Sequence, residues 1–510
     1  FNSYPFLLMF LPVTLAGFFA LACWRARAAA MWLIAASLFF YGWWDVRFLG
    51  LLVPSVLVNY NAGRALGRLA VAGRERQNRR LLAAVIAANL LVLGYFKYAD
   101  FFLTSANSAF GGHVGLLHVI LPIGISFFTF TQIAFLVDAA RGEVSAFDIV
   151  HYALFVTWFP HLIAGPILHH REMMPQFRAA STYAPSGENF AIGLSYLAIG
   201  LTKKCLIADF FAPDAGIAFG AAHQSAVIGA LAAWQGALAY TLQLYFDFSG
   251  YCDMAVGLSR MFGIRLPFNF NSPYQAVGII DFWRRWHMTL SRFLRDYLYI
   301  PLGGNRHGAA RRYFNLSITM LLGGLWHGAS WTFVVWGGLH GAYLIVNHGW
   351  RALRPADALA RLPLALRATV SAAITFLAVT VAWVVFRAPD LATAGRLMAA
   401  MTGAHGFAPA GGPAMPSPLA GWSDLFGISG GSGRLLDLLR FAVALAVVFA
   451  LPNTQQIIEG AVAGAAKAPA WPWVRVAWRS NLAWGAALGL LGATALVTFT
   501  RVSEFLYFQF

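Results

Sequence analysis

One histidine stands in a long apolar stretch, with glycine and tryptophan as its neighbours. His327 lies in the Gly-Gly-Leu-Trp-His-Gly segment 323–328, within residues 313–350, which contain no Asp, Glu, Lys or Arg. Polar side chains are costly in apolar segments, so they are candidates for function. A neutral imidazole can take a proton from a hydroxyl near pH 7, and small neighbours would let a substrate or another backbone approach the ring. The alternative is a core histidine that bonds a backbone carbonyl between packed helices.

A second histidine, His287, precedes His327 by 40 residues and follows a basic, aromatic stretch. Two histidines from separate helices could meet in one cavity, one as a base and the other binding or orienting the substrate. His287 could instead be an interfacial residue on an amphipathic helix. The pair lacks spaced carboxylate or cysteine partners, which makes it a poor metal signature, so we predict no metal site.

Two aspartates end a long uncharged run. We expect Asp247 and Asp253 to form structural ion pairs with Arg260, Arg284 or Arg285 rather than to perform acid–base chemistry.

A segment rich in proline, glycine and histidine, residues 158–170, predicts a broken helix that shapes a cavity wall. Residues 253–312 hold nine arginines and three aspartates among many aromatic residues. They predict helices that lie at, or dip into, the cytoplasmic interface. Their arginines could bind a phosphorylated cofactor or lipid phosphates, and both interpretations stay open.

The elements that must position these residues are membrane helices. The 510 residues are 59% hydrophobic and only 11% charged, with mean hydropathy +0.64, which excludes a water-soluble enzyme. The apolar windows predict about 11 spanning helices, with an exposed loop at 403–433. Six arginines in residues 61–80 indicate a cytoplasmic loop and an external N-terminus. The net charge of +16 then indicates basic loops that face anionic lipid, and no nucleic-acid partner is expected.

Several stretches together resemble the membrane-bound O-acyltransferase family, in particular its bacterial branch of polysaccharide O-acetylation proteins. The likeness extends over residues 1–350. The stretches that carry it are Phe1–Phe6, Leu121–Phe128, Phe159–Pro166, Tyr245–Asp253, Pro267–Tyr274, Phe282–His287, Arg295–Arg306 and Trp326–Gly328. The chain departs from the family pattern at His161 and at the pair His169-His170.

The resemblance implies an all-α polytopic membrane protein, with a ring of helices around a thin centre where cytoplasmic and external funnels meet. On this basis we expect one membrane-embedded domain over 1–510, with the re-entrant segment at 253–312 and the active-site helices at 313–350. His327 matches the family's active-site histidine and His287 its second position. Arg284, Arg285 and Arg292 are candidates for holding the phosphates of coenzyme A. The mechanism requires that His327 be reachable from both aqueous compartments.

The implied reaction moves an acetyl group from cytoplasmic acetyl-CoA to an external hydroxyl on an alginate-like or cellulose-like exopolysaccharide. The implied location is a bacterial inner membrane. No permanently bound cofactor is expected. The resemblance implies that the acetyl group reaches the polysaccharide either directly or through a periplasmic partner with a serine-hydrolase-like (SGNH) fold. The alternatives are a transporter or flippase, a scaffold for a periplasmic acetylating enzyme, and a D-alanyl transfer protein of teichoic acids.

Overall fold

Helices make up the secondary structure throughout the described chain. The computed structural model describes residues 1–144, 147–353, 363–407, 432–462, 476–501 and 506, and these residues contain no strand. The predicted all-α class is confirmed. Most of the predicted loop at 403–433 lies outside the described residues.

The chain divides into two compact units, of residues 1–198 with 251–268 and of residues 199–250 with 269–510. The prediction of one domain over 1–510 stays a prediction. The helices that lie mainly in the first unit are α1 (Leu11–Ala22, extended N-terminally by the π-helical turn Phe6–Phe10), α2 (Ala26–Gly42), α3 (Leu49–Val71), α4 (Glu75–Phe110), α5 (Ile125–Ala140), α6 (Ile149–Thr157), α7 (Phe159–Leu162), α8 (His170–Arg178) and α9 (Gly187–Leu201).

The second unit holds the later helices, except that α11 runs into the first unit after residue 250. They are α10 (Asp209–His223, preceded by the π-helical turn Thr202–Ala208), α11 (Ala230–Met261), α12 (Ile279–Trp283), α13 (Met288–Leu294, followed by the π-helical turn Arg295–Tyr299), α14 (Gly308–His327), α15 (Trp331–Leu353), α16 (Leu364–Arg387), α17 (Leu391–Met401), α18 (Ser432–Ala450), α19 (Thr454–Val462) and α20 (Leu482–Val497).

Some of these helices have the length and apolar composition of a membrane span. Among the described residues, Glu75–Phe110, Gly187–His223 and Leu364–Arg387 meet both criteria, and the bent pair Leu439–Ala450 with Thr454–Gly460 would add one more. Shorter apolar helices of 10–17 residues also occur, and they are Phe6–Ala22, Ala26–Gly42, Ile125–Ala140 and Leu482–Val497. The polytopic character predicted from hydropathy agrees with these helices.

The predicted broken helix is confirmed, whereas the predicted interfacial position of residues 253–312 stays a prediction. The helix through residue 158 is broken, because Trp158 has ψ 108° between the end of α6 and the start of α7. Within 253–312, α12 and α13 span only five and seven residues, far too short to cross a bilayer. Both segments therefore bring loop backbone among buried side chains.

The α14–α15 hairpin is packed backbone to backbone through glycine. A Cβ atom added at Gly324 would lie 2.2 Å from the carbonyl oxygen of Phe333, and one at Gly337 would lie 2.3 Å from that of Met320. Small residues let helices approach this closely. The glycines before His327 thus admit a neighbouring helix, which was one of the two uses predicted for them.

Gly324→Ala tests this packing. The added methyl group has no room against fixed backbone, so we expect a loss of about 1–3 kcal/mol in stability and a lower midpoint of thermal unfolding in detergent. Gly338→Ala is the matched control on α15, since its methyl group would meet only Leu321 Cδ2 at 3.6 Å. Equal midpoints for the two variants would contradict close packing at Gly324.

Candidate functional site

His327 is the last residue of α14. The chain leaves the helix at Gly328, whose extended backbone (φ −164°, ψ 156°) starts the turn into α15. A Cβ atom at Gly328 would lie 2.1 Å from the ring of Phe333, so a side chain is excluded at this turn. The imidazole is therefore fixed at a helix end by the tight hairpin that follows it.

His287 occupies a strained position just before α13. Its backbone is left-handed, with φ 42° and ψ 54°, which a residue with a side chain rarely adopts. Its exposed fraction is 0%, and neither ring nitrogen forms a hydrogen bond with a described residue. A strained backbone and an unsatisfied buried imidazole each cost free energy, and their coincidence at one residue is typical of a functional site.

The turn at His287 is held by the segment that precedes α12. Met288 N–H donates to the Asn269 carbonyl at 3.0 Å, and Asn271 N–H donates to the Arg285 carbonyl at 2.9 Å. The side-chain oxygen of Asn269 accepts from both the backbone N–H and the hydroxyl of Thr289, at 3.2 and 2.7 Å. The strained conformation is therefore fixed from both sides.

Helices late in the chain support the same segment. Asn453 donates to the side chains of Asn271 and Ser272, in both cases at 3.0 Å, and Gln275 donates to the Val448 carbonyl at 3.0 Å. These bonds join the end of α18 and the start of α19 to the turn that carries His287.

The two predicted histidines lie side by side. Their ring centroids are 6.4 Å apart, with the ring planes at 63°. Both residues are buried, with exposed fractions of 7% for His327 and 0% for His287. The structure thus brings together residues 40 positions apart in the sequence, as predicted.

Aromatic rings enclose the pair. His327 contacts Trp336 and Phe386 at 5.2 and 5.3 Å between centroids, and His287 contacts Phe248 at 4.9 Å. Trp326 lies 4.9 Å from His327 and 6.0 Å from His287. Such walls exclude water, and hydrogen bonds to a reacting group are stronger in a medium of low dielectric constant.

A third buried histidine, His340, was missed by the sequence analysis. Its Nδ1 accepts a hydrogen bond from Trp283 Nε1 at 3.3 Å, and its ring lies 4.7 Å from Trp336, which in turn contacts His327. The signal was present, because the Gly-Gly-Leu-His-Gly segment 337–341 places this histidine among glycines much as His327 is placed.

The three predicted phosphate ligands differ in their surroundings. Arg285 is engaged by Asp281, with Nε 2.9 Å from Oδ1. Arg284 follows α12, is exposed, and forms no ion pair with a described residue. Arg292 lies in the last turn of α13 and is half-buried. Arg284 is thus the arginine of the three most available to a bound anion.

The predicted partners of Asp247 are wrong. Its Oδ1 lies 2.8 Å from Nζ of Lys204, which also contacts Asp209 at 2.8 Å, and its Oδ2 accepts from Leu506 N–H at 3.1 Å. The role is structural, as expected, but the cation comes from a lysine that no sequence pattern identified. This buried ion pair anchors α11 beside Phe248.

A group of potential metal ligands lies in the first unit, where none was predicted. Asp138, His169 and His170 each place one ligand atom within 4.8 Å of the others. His161, in the same histidine-rich stretch, is instead a satisfied core residue, with Nε2 3.1 Å from the Phe155 carbonyl.

The profile of the MBOAT, membrane-bound O-acyltransferase, family matches residues 81–364, which include both His287 and His327. The chain is 43% identical over 434 residues to the peptidoglycan O-acetyltransferase of Helicobacter pylori, covering 80% of each protein. It is 46% identical over 406 residues to the probable alginate O-acetylase AlgI of Azotobacter vinelandii, covering 79% of this chain and 77% of that protein.

A more distant relative is the teichoic acid D-alanyltransferase of Bacillus subtilis. It is 30% identical over 287 residues, which cover 49% of this chain and 70% of that protein.

Lys204→Met tests the ion pair that anchors α11. The change leaves the Asp247 carboxylate buried without its cation, and breaking a buried pair from one side typically costs about 3–5 kcal/mol. We expect a clearly lower midpoint of thermal unfolding for purified protein. The double variant Lys204→Met with Asp247→Asn removes the uncompensated charge of Asp247 and should recover part of the loss, since Asp209 still lacks its cation. A single variant as stable as the wild type would contradict this assignment.

Proposed function

The chain belongs to the membrane-bound O-acyltransferase family, and from that premise we propose that it carries an acetyl group across a bacterial inner membrane. The donor is cytoplasmic acetyl-CoA and the acceptor is a hydroxyl on the external side. Family membership makes the protein a multi-pass membrane acyltransferase. We propose in addition that the transferred group is acetyl and that the N-terminus is external.

The observation that carries the proposal is the buried pair His287–His327. The residue His327 is 7% exposed and His287 is fully buried, and their ring centroids are 6.4 Å apart within aromatic walls. A carbonyl group that enters between them meets two imidazoles and no bulk water. Acyl transfer to a hydroxyl needs a base and a donor to the developing oxyanion, and two imidazoles can supply both.

In the proposed reaction His327 removes the proton from the acceptor hydroxyl as its oxygen attacks the thioester carbonyl carbon. The carbonyl oxygen becomes an oxyanion that accepts a hydrogen bond from His287. The carbon–sulfur bond then breaks, and the thiolate takes the proton from the His327 imidazolium. The products are an acetyl ester and free coenzyme A, and both imidazoles return to their starting state.

The side chain of His287 has the features that this role needs. Neither of its ring nitrogens bonds a described residue, so no existing hydrogen bond must break before the oxyanion binds. The bonds made by Asn269 and Asn271 fix the backbone turn that carries the ring before the reaction begins. A donor that is already oriented needs no reorganisation when charge develops.

The size and charge of coenzyme A favour transfer of the acyl group alone. Its phosphates are too polar to enter an apolar bundle, so the thioester is presented from the cytoplasmic side and only the acetyl group passes the pair. Arg284, exposed and without an ion pair among the described residues, supplies a cation beside the turn that carries His287. Arg285 and Arg292 lie close in sequence, but Arg285 already pairs with Asp281 and Arg292 is half-buried.

We infer that the acceptor is a polysaccharide hydroxyl, reached directly or through a periplasmic acetyltransferase partner of SGNH type. Support comes from relatives named for O-acetylation of peptidoglycan and of alginate, which match about 80% of the chain at 43–46% identity. A D-alanyl donor is less well supported, because that relative matches 49% of the chain at 30% identity.

His327→Gln should reduce acyl transfer by about two orders of magnitude or more, the usual scale for loss of a general base. The measurement uses purified protein with radiolabelled acetyl-CoA and follows thiol release and labelled product. His287→Gln keeps a hydrogen-bond donor and should lose less of the turnover than His287→Ala.

The matched control is His223→Gln, a half-exposed histidine of the second unit that pairs with Asp390 at 3.2 Å. It should retain wild-type turnover. Wild-type turnover in His327→Gln would overturn the site. Substrate movement without thioester consumption would indicate a transporter, and acetylation that survives both histidine changes would indicate a scaffold.

Arg284→Ala tests the donor. Loss of one charge-assisted contact to a phosphate should raise KM for acetyl-CoA by about ten-fold with kcat little changed. With S-acetyl-pantetheine, which has the thioester but no phosphate, wild type and variant should be alike. Arg295→Ala is the control, because Arg295 already pairs with Asp296 at 2.7 Å. An equal rise in KM for both donors would contradict phosphate binding by Arg284.

A further inference from the structure

A second cluster of chemically active side chains lies in the first unit. Asp138 is in the last turn of α5, His169 caps the N-terminus of α8, and His170 is the first residue of α8. Nε2 of His169 lies 2.9 Å from Oδ2 of Asp138, and Nδ1 of His170 lies 3.3 Å from the same oxygen. Residues 31 positions apart in sequence thus converge on one carboxylate oxygen.

The carboxylate at the centre of this cluster is almost completely buried. The exposed fraction of Asp138 is 1%, that of His170 is 5%, and the side chain of His169 is 22% exposed. Arg141 forms an ion pair with the other carboxylate oxygen, with its guanidinium 3.7 Å from Oδ1. The cluster therefore consists of two buried residues, Asp138 and His170, and one partly exposed residue, His169, beside which an ion could enter.

His170 contacts the carboxylate without hydrogen-bonding it. Although Nδ1 is 3.3 Å from Oδ2, neither ring nitrogen has a hydrogen-bond partner among the described residues. A buried imidazole usually satisfies at least one nitrogen, so this one requires an explanation. Two ligands of one metal ion lie close to each other in this way, since each directs its lone pair at the ion and not at its neighbour.

The distances suit a small transition-metal ion. With metal–ligand bonds of about 2.0–2.1 Å, two ligands of a tetrahedral ion lie about 3.3 Å apart. The two contacts to Oδ2, at 2.9 and 3.3 Å, are near that spacing, so small rotations of the side chains would complete the site. Two imidazoles and a carboxylate favour Zn²⁺ and its neighbours over Mg²⁺ or Ca²⁺, which prefer oxygen ligands.

Neighbouring contacts already join the two segments. Arg171 of α8 pairs with Glu143, just after α5, at 2.7 Å, and the ring of Phe135 packs edge-on against His170 at 6.0 Å. One contact would change, because Nδ1 of His169 accepts from Arg171 N–H at 3.3 Å. A metal on Nε2 moves the ring proton to Nδ1, so this long capping contact is given up for a metal–nitrogen bond.

We propose that Asp138, His169 and His170 bind one divalent transition-metal ion, with water as the remaining ligand, and that the ion fastens the start of α8 to the end of α5. Zn²⁺ is the probe of choice. The site is separate in sequence from His287 and His327, and its role is structural.

The test uses the full chain, purified in detergent with a tag that contains no histidine. After chelation and removal of the chelator, Zn²⁺ is added, excess is removed, and metal is measured by mass spectrometry. We expect about one ion per chain in the wild type and about ten-fold less in Asp138→Asn and in His170→Gln. Zn²⁺ should raise the midpoint of thermal unfolding of the wild type and leave both variants unchanged.

His151→Gln is the matched control, because His151 also contacts a carboxylate, that of Asp148, at 2.7 Å in the same unit. It should keep the wild-type metal content and thermal shift. A measurement on the wild type alone does not depend on whether the variants fold. Co²⁺ added to the wild type should give the visible absorption of a tetrahedral or five-coordinate ion, and Zn²⁺ should abolish it. A wild type that retains no metal and shows no Co²⁺ absorption would overturn the proposal, as would equal binding by wild type and Asp138→Asn.

Discussion

The left-handed turn at His287 is the constraint on which the second unit depends. A residue with a Cβ adopts that conformation only when its surroundings hold it there. Here the hold comes from the backbone of Asn269 and Asn271 and from the double acceptance by the Asn269 side chain. Without those bonds the backbone would relax, and the imidazole would leave the wall that faces His327. The asparagines of the segment at 269–271 thus serve the site although neither is proposed to touch a substrate.

The second requirement is that His327 be presented at the end of a helix within an apolar enclosure. The close approach of α14 and α15 at Gly324 and Gly337 fixes where that helix end lies. Trp336, whose ring lies 5.2 Å from that of His327, also contacts His340 and Phe386. The glycines allow α14 and α15 to approach closely, and Trp336 packs against the imidazole of His327. A single hairpin therefore both positions and encloses that ring. Packing and chemistry are in this way determined by the same few residues.

The sequence predicted the helical class, the broken helix at Trp158 and the meeting of the two histidines, because each left a local pattern of hydropathy, proline or glycine. It could not identify Lys204 as the partner of Asp247, since charge pairing across helices depends on how those helices pack. Asp138 could not be selected from the sequence for the same reason. It is one acid among apolar residues, 31 positions before His169. His340 is different, because its glycine-flanked segment repeats the pattern that selected His327 and was open to the same argument.

Buried carboxylates show how the protein compensates charge away from water. Asp138 differs in its neighbours from two other buried aspartates, Asp247 and Asp214. Asp247 has the ammonium group of Lys204 at 2.8 Å, and Asp214 has the guanidinium of Arg440 at 2.6 Å. Each of these acids is compensated by a cation that is itself buried. Near Asp138 lie two imidazoles, which carry a full charge only when protonated, and the half-exposed guanidinium of Arg141, at 3.7 Å from Oδ1. A buried acid needs a compensating charge at short range, and a metal ion held by those same imidazoles would provide one.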